Sequence, residues 1–159
     1  MHFIYQDIRL AVLYHNRLEL PSNLTGREKL FCNIIRDADK VDNFRGFIDN
    51  DFISFHERSL NSVQHSSISQ EIMDCFNNHS TIPHCLIKTD ADFFLLPYAL
   101  LFGIVYECSY KLVELQGNFK KMLQFQFESK GNREKFDLIK RSIISNLILH
   151  PDYHSDSII

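Results

Sequence analysis

The chain has 159 residues, of which 45% are hydrophobic, with fourteen Phe, six Tyr and no Trp; that length suits one domain around one core. Five Gly and four Pro are few for a turn-rich all-β domain. The formal charge of -3 disfavours nucleic acid as a partner, because a phosphate-binding face shows as a basic excess.

The segment from His2 to Asn16 reads as a helix, with Ile4, Ile8, Ala11, Val12 and His15 at helical spacing on one face. On that face His15 points toward the core. Pro21, Ser22 and Asn23 mark the following stretch as a connection. Thr25 to Glu28 then has the form of a capping box, in which hydroxyl and carboxylate satisfy two backbone donors at a helix start. Leu30, Phe31, Ile34, Ile35, Ala38, Val41, Phe44 and Ile48 keep one face of this second helix apolar, which predicts a central helix over 25–48.

The stretch from Asn50 to Pro83 is rich in Ser, Asn and His and reads as irregular, apart from a short helix over 69–76 that turns Ile72, Met73 and Phe76 inward. Thr89 with Asp90 and Asp92 offers the next helix start, since carboxylates suit an N-terminus. The pattern predicts one helix from there to about Leu115, kinked at Pro97. Gly117-Asn118 breaks the chain, and two helices follow over 119–127 and 133–149. Pro151 ends the last, leaving Pro151 to Ile159 as a frayed tail. The expectation is an all-α single domain over 1–159, with core helices in 4–48, an irregular stretch in 49–88 and C-terminal helices in 89–149.

Cys32, Cys75, Cys85 and Cys108 form no CxxC pair, which favours reduced thiols in a cytoplasmic protein over a zinc site or disulfide framework. Met1 runs straight into a charged amphipathic segment unlike a signal peptide. The longest apolar run, Phe93 to Tyr106, is interrupted by Pro97 and Gly103 and is shorter than the roughly 18 residues a membrane span needs.

The segment Ile34-Ile35-Arg36-Asp37-Ala38-Asp39-Lys40-Val41-Asp42-Asn43-Phe44-Arg45 is the most informative. At about 100° per residue, Asp37 and Asp42 fall inside the apolar arc, Asp39 at its edge and Arg45 near its centre. Carboxylates aimed at a core need a compensating partner. Spacing leaves two partners open: an internal ion network through Arg36, Lys40 or Arg45, and a metal or phosphate site. The remaining histidines, His56, His65, His79, His84, His150 and His154, read as surface residues, since none has the helical spacing of a zinc hydrolase. The sequence carries no GxGxxG, Walker lysine loop or GxSxG elbow.

The same segment resembles the last signature of the HD superfamily of metal-dependent phosphohydrolases, an apolar run followed by Ala-Asp-Lys/Arg and an aliphatic residue. Ile8 to Pro21 is similar to the helix and loop preceding that signature, and Thr89 to Phe125 to the C-terminal helices of a bacterial subgroup. The resemblance covers roughly residues 4 to 127. It implies that Asp39 is a metal ligand, that His15 points into the active site, and that Lys40 and Arg45 can neutralise phosphate charge. It further implies a divalent metal such as Mn or Mg and a small phosphorylated or nucleotide-like substrate. The match is to the C-terminal part of such a protein, because no His-Asp pair occurs in this sequence. The expectation is a truncated or impaired phosphohydrolase; the alternative is a non-catalytic helical interaction module. The absence of covering N-terminal helices would leave Ile4, Ile8 and Val12 open to water, which points to a homodimer.

Overall fold

The capping box at Thr25 forms as its residues dictate. In the computed structural model, which describes residues 2–48 and 58–150, the Thr25 amide donates to the Glu28 carboxylate at 2.8 Å and the Glu28 amide donates to Thr25 Oγ1 at 3.3 Å. These bonds hold the Glu28 carboxyl below its ordinary pKa, the Thr25 backbone contributing most. Helix α2 (Gly26–Ile48) follows from this cap. Its C-terminal half buries Val41, Phe44 and Phe47 in the core. Its N-terminal half carries α1 (His2–Tyr14) on one side and leaves Leu30, Ile34 and Ile35 exposed on another.

Helix α1 stands where the sequence predicts, but a different face packs. Asp7 and Ala11 are buried, whereas Ile4, Ile8 and Val12 are each about half exposed, at 50%, 49% and 59%. The small Ala11 permits close approach to α2, and Arg27 neutralises Asp7 through an ion pair of 2.7 Å. The most hydrophobic stripe is therefore not the inward one.

Among the described residues the rest of the chain is also helical and contains no strand. Helix α3 (Leu60–His65), which the sequence reading missed, is capped by the Ser59 hydroxyl. Helix α4 (Gln70–Asn77) matches the short helix expected there and turns Ile72, Met73 and Phe76 inward. The expected single helix over 89–115 is instead broken into pieces. A capping box at Thr89 and Asp92 starts α5 (Asp90–Phe94), which is followed by α6 (Leu96–Ala99), a 3-10 turn (Leu100–Gly103) and α7 (Glu107–Gln116). Pro97 lies in the first turn of α6, where its missing N–H costs nothing, so it opens a helix rather than kinking one.

Gly117 ends α7 with φ +65°, a left-handed conformation that suits glycine. Of the expected 119–127 helix only the first four residues are helical, within α8 (Asn118–Met122). Helix α9 (Lys130–Ile148) starts at the Ser129 hydroxyl, which accepts from the Asn132 amide at 3.2 Å. The expected tail over 151–159 and the start of the irregular stretch, 49–57, lie outside the described residues.

The core sits between the C-terminal half of α2 and helices α4, α5, α6, α8 and α9. Aromatic rings fill it edge to face: Phe44 meets Phe119 at 4.9 Å between centroids, and Tyr98 meets Phe136 at 5.4 Å. The fully buried Tyr98 satisfies its hydroxyl by donating to the Met122 carbonyl at 2.8 Å. No described helix is long and apolar enough to cross a membrane.

Candidate functional site

Where α1 ends, the chain turns through 15–18 and crosses the middle of α2. The loop 80–84 and the α5–α6 region with its 3-10 turn close over the other side. A cleft of about 640 Å³ lies between them, within the range typical of small-molecule sites. His15, Arg17 and Arg36 line it together with Asp39 and Lys40. The opposite wall comes from Phe93, Leu96, Pro97, Leu100, Phe102 and Gly103.

Three of the four residues singled out in the sequence therefore meet in one place. His15 donates through Nδ1 to the Val12 carbonyl of the preceding helix at 2.7 Å. The backbone carbonyl places a proton on that nitrogen, because a carbonyl can only accept. Asp39 is exposed at the rim, where the Asn43 side-chain amide donates to its carbonyl at 2.9 Å and reaches its carboxylate at 3.5 Å.

Lys40 is buried, and its Nζ lies 3.5 Å from the Asp37 carboxylate without a hydrogen-bond partner. The contact is thus a charge pair rather than a hydrogen bond. Burial holds the ammonium below its ordinary pKa, with Asp37 opposing that shift and Arg36 adding to it. Gly103 makes room for this side chain: a Cβ there would stand 3.0 Å from Lys40 Cε and 3.0 Å from Thr81 Cγ2.

Arg45 does not join them. It is exposed and pairs with Asp42 at 3.1 Å, and both side chains stay in water, at 68% and 70% exposure. Neither enters the apolar arc, because the arc of α2 rotates toward Val41, Phe44 and Phe47 in its last turns. Asp37 does enter the interior. Its carboxylate accepts the backbone amides of Val105 at 3.1 Å and Tyr106 at 2.9 Å, which fixes the extended turn ahead of α7.

Sequence reasoning missed several cleft residues. Arg36 was weighed only as an ion-pair partner, yet it lines the cleft and its Nη2 donates to the Leu18 carbonyl at 2.9 Å, tying the 15–18 turn to α2. Arg17 carries no signal in the sequence; His84 is a surface residue, as the sequence predicts, and stands at the mouth of the cleft. The one available signal was Gly103 inside an apolar run, since such a glycine marks close approach of another chain segment.

The lining holds three cations, Arg17, Arg36 and Lys40, against one carboxylate, Asp39, in a chain whose formal charge is -3. Neither arginine forms an ion pair with a described residue. The chemistry offered is recognition of an anion beside an apolar surface. A metal is a different matter: among the described residues no group of three or more His, Cys, Asp or Glu could hold one. Asp39, His15 and His84 all line the cleft but do not form such a group, so these residues do not fit the metal that the HD resemblance implies, and no metal-dependent step follows from them.

Comparison with family models, curated proteins and solved structures finds no match to this chain.

Proposed function

We propose that the chain is an HD-type helical domain that binds a small phosphorylated molecule in the cleft between α2 and the 93–103 wall. One observation carries this reading: His15, Asp39 and Lys40, which the resemblance to phosphohydrolases singles out, line one cleft although His15 lies in the turn after α1 and the other two lie on α2. The reading keeps the phosphorylated ligand and leaves hydrolysis aside. Arg36 and Arg17 supply the charge-assisted hydrogen bonds that a phosphate selects. Calorimetry with phenyl phosphate tests it. Binding is expected, and Arg36→Gln should weaken it about tenfold, the effect of about 1.4 kcal/mol that one charge-assisted bond supplies. Arg45→Ala should change nothing, because Arg45 stands outside the cleft. Absence of binding to a folded wild-type protein defeats the reading.

A second reading, a helical interaction module, has its own observation. Ile4, Ile8, Val12 and Leu13 on α1 are exposed, as are Leu30 and Ile34 on α2, the helix it packs against. Covering such side chains stabilises an assembly by roughly 1.5–3 kcal/mol each, and a two-fold contact is the commonest solution for a self-complementary patch. The chain is therefore expected to dimerise. Light scattering should show the mass rising with concentration from 18.7 kDa toward twice that value. Ile8→Asp should restore the monomer without unfolding it, because Ile8 is half exposed in the single chain. A wild-type mass fixed near 18.7 kDa at micromolar concentration rules the dimer out.

A further inference from the structure

The two walls of the cleft differ in kind. The ionisable lining comes from the 15–18 turn, α2 and His84. The facing segment, 93–103, contributes Phe93, Leu96, Pro97, Leu100 and Phe102 with the bare backbone of Gly103, and not one polar side chain. Between the walls, Ser80 Oγ is committed, donating to the Cys75 carbonyl at 3.2 Å. Thr81 turns its methyl group toward Gly103.

We propose that the ligand of this cleft is the phosphate monoester of an apolar alcohol, aryl or branched alkyl, rather than free phosphate or a sugar phosphate. The proposal rests on the phosphate reading above and specifies what the phosphate carries. The phosphate lies against Arg17 and Arg36, and the apolar body lies against Leu96, Leu100 and Phe102. A sugar in the same place would press its hydroxyls on a wall that offers no side-chain partner, and buried hydroxyls without partners oppose binding. Free phosphate would leave most of the 640 Å³ unfilled and gain nothing from the apolar wall. Lys40 stands beside Gly103 with its charge compensated by Asp37, so the positive charge for the phosphate comes from the two arginines.

Calorimetry with four probes decides the matter: 1-naphthyl phosphate, ribose 5-phosphate, inorganic phosphate and 1-naphthol. The expected result is that 1-naphthyl phosphate binds at least about tenfold more tightly than each of the other three, as burial of an apolar body requires. Leu100→Asn should shrink the ratio between naphthyl and ribose esters. Circular dichroism first confirms that this variant is folded; if it is not, the wild-type ratios alone decide. Equal affinity for the three phosphates overturns the proposal while the phosphate reading stands. Equal affinity for 1-naphthol and its phosphate overturns it too, since the charged wall would then contribute nothing. Failure of all four probes to bind overturns the proposal and the phosphate reading together.

Discussion

Asp37→Ala is expected to lower the stability of the fold by roughly 3–5 kcal/mol, the cost of breaking a buried charge pair by removing one partner. Three consequences arrive at once. The Lys40 ammonium, buried and without a hydrogen bond, loses the carboxylate 3.5 Å away. The amides of Val105 and Tyr106 lose their acceptor. The turn that sets α7 against α2 then loses its side-chain anchor on α2. Native stabilities are only about 5–15 kcal/mol, so urea denaturation should show a large fall in midpoint. The double variant Asp37→Ala/Lys40→Met should recover part of the loss, because the stranded charge is gone. An additive result in the double variant would show that the two side chains do not interact.

The Lys40 charge also carries a pH signature. Burial holds its pKa below the ordinary lysine value, so between the two values the unfolded chain binds more protons than the folded one. Stability from this group therefore rises as pH increases across that alkaline window.

The second large effect is expected at Asp92→Ala, again roughly 3–5 kcal/mol, since each buried donor left without a partner costs about 1–3 kcal/mol. Asp92 is fully buried. Its carboxylate accepts the amide of Ser69 at 2.8 Å, of Lys88 at 3.1 Å and of Thr89 at 3.2 Å. It thereby joins the start of α4 to the start of α5 and places the next residue, Phe93, in the cleft wall. Asp92→Asn keeps one acceptor oxygen and should lose about half as much. Thermal unfolding of the two variants checks this order; equal and small shifts would mean that the three amides find other partners.

Both residues lie where the sequence was most and least legible. Asp92 stands in a capping box that local chemistry announces, because Thr89 and Asp92 need only each other and the neighbouring amides. The Thr25–Glu28 box is legible for the same reason. Asp37 was expected inside and is inside, but its acceptors' partners come from 68 and 69 residues away, a pairing that periodicity cannot supply. The inward face of α1 was misjudged because hydrophobicity alone does not choose a packing face: Asp7 is buried once Arg27 pairs with it, and Ile4 and Ile8 are not. The continuous helix expected over 89–115 breaks locally before Pro97, and at 104–106 it breaks on tertiary grounds, where Asp37 captures the amides of Val105 and Tyr106. For the cleft, His15, Asp39 and Lys40 were legible through the resemblance. Arg17 and the 93–103 wall were not, because their role depends on how distant segments meet.

The central claim is that a phosphorylated ligand enters this cleft and no other surface. An amide-resolved NMR titration of the ¹⁵N-labelled protein with phenyl phosphate tests it most directly. The account predicts saturable shifts concentrated at Leu18, Arg36, Lys40, Thr81, Leu100 and Gly103, which line or border the cleft. Amides of α9 and of the Asp42–Arg45 pair should stay still. Shifts centred on that pair or on α9, or no saturable shifts at all, would contradict it.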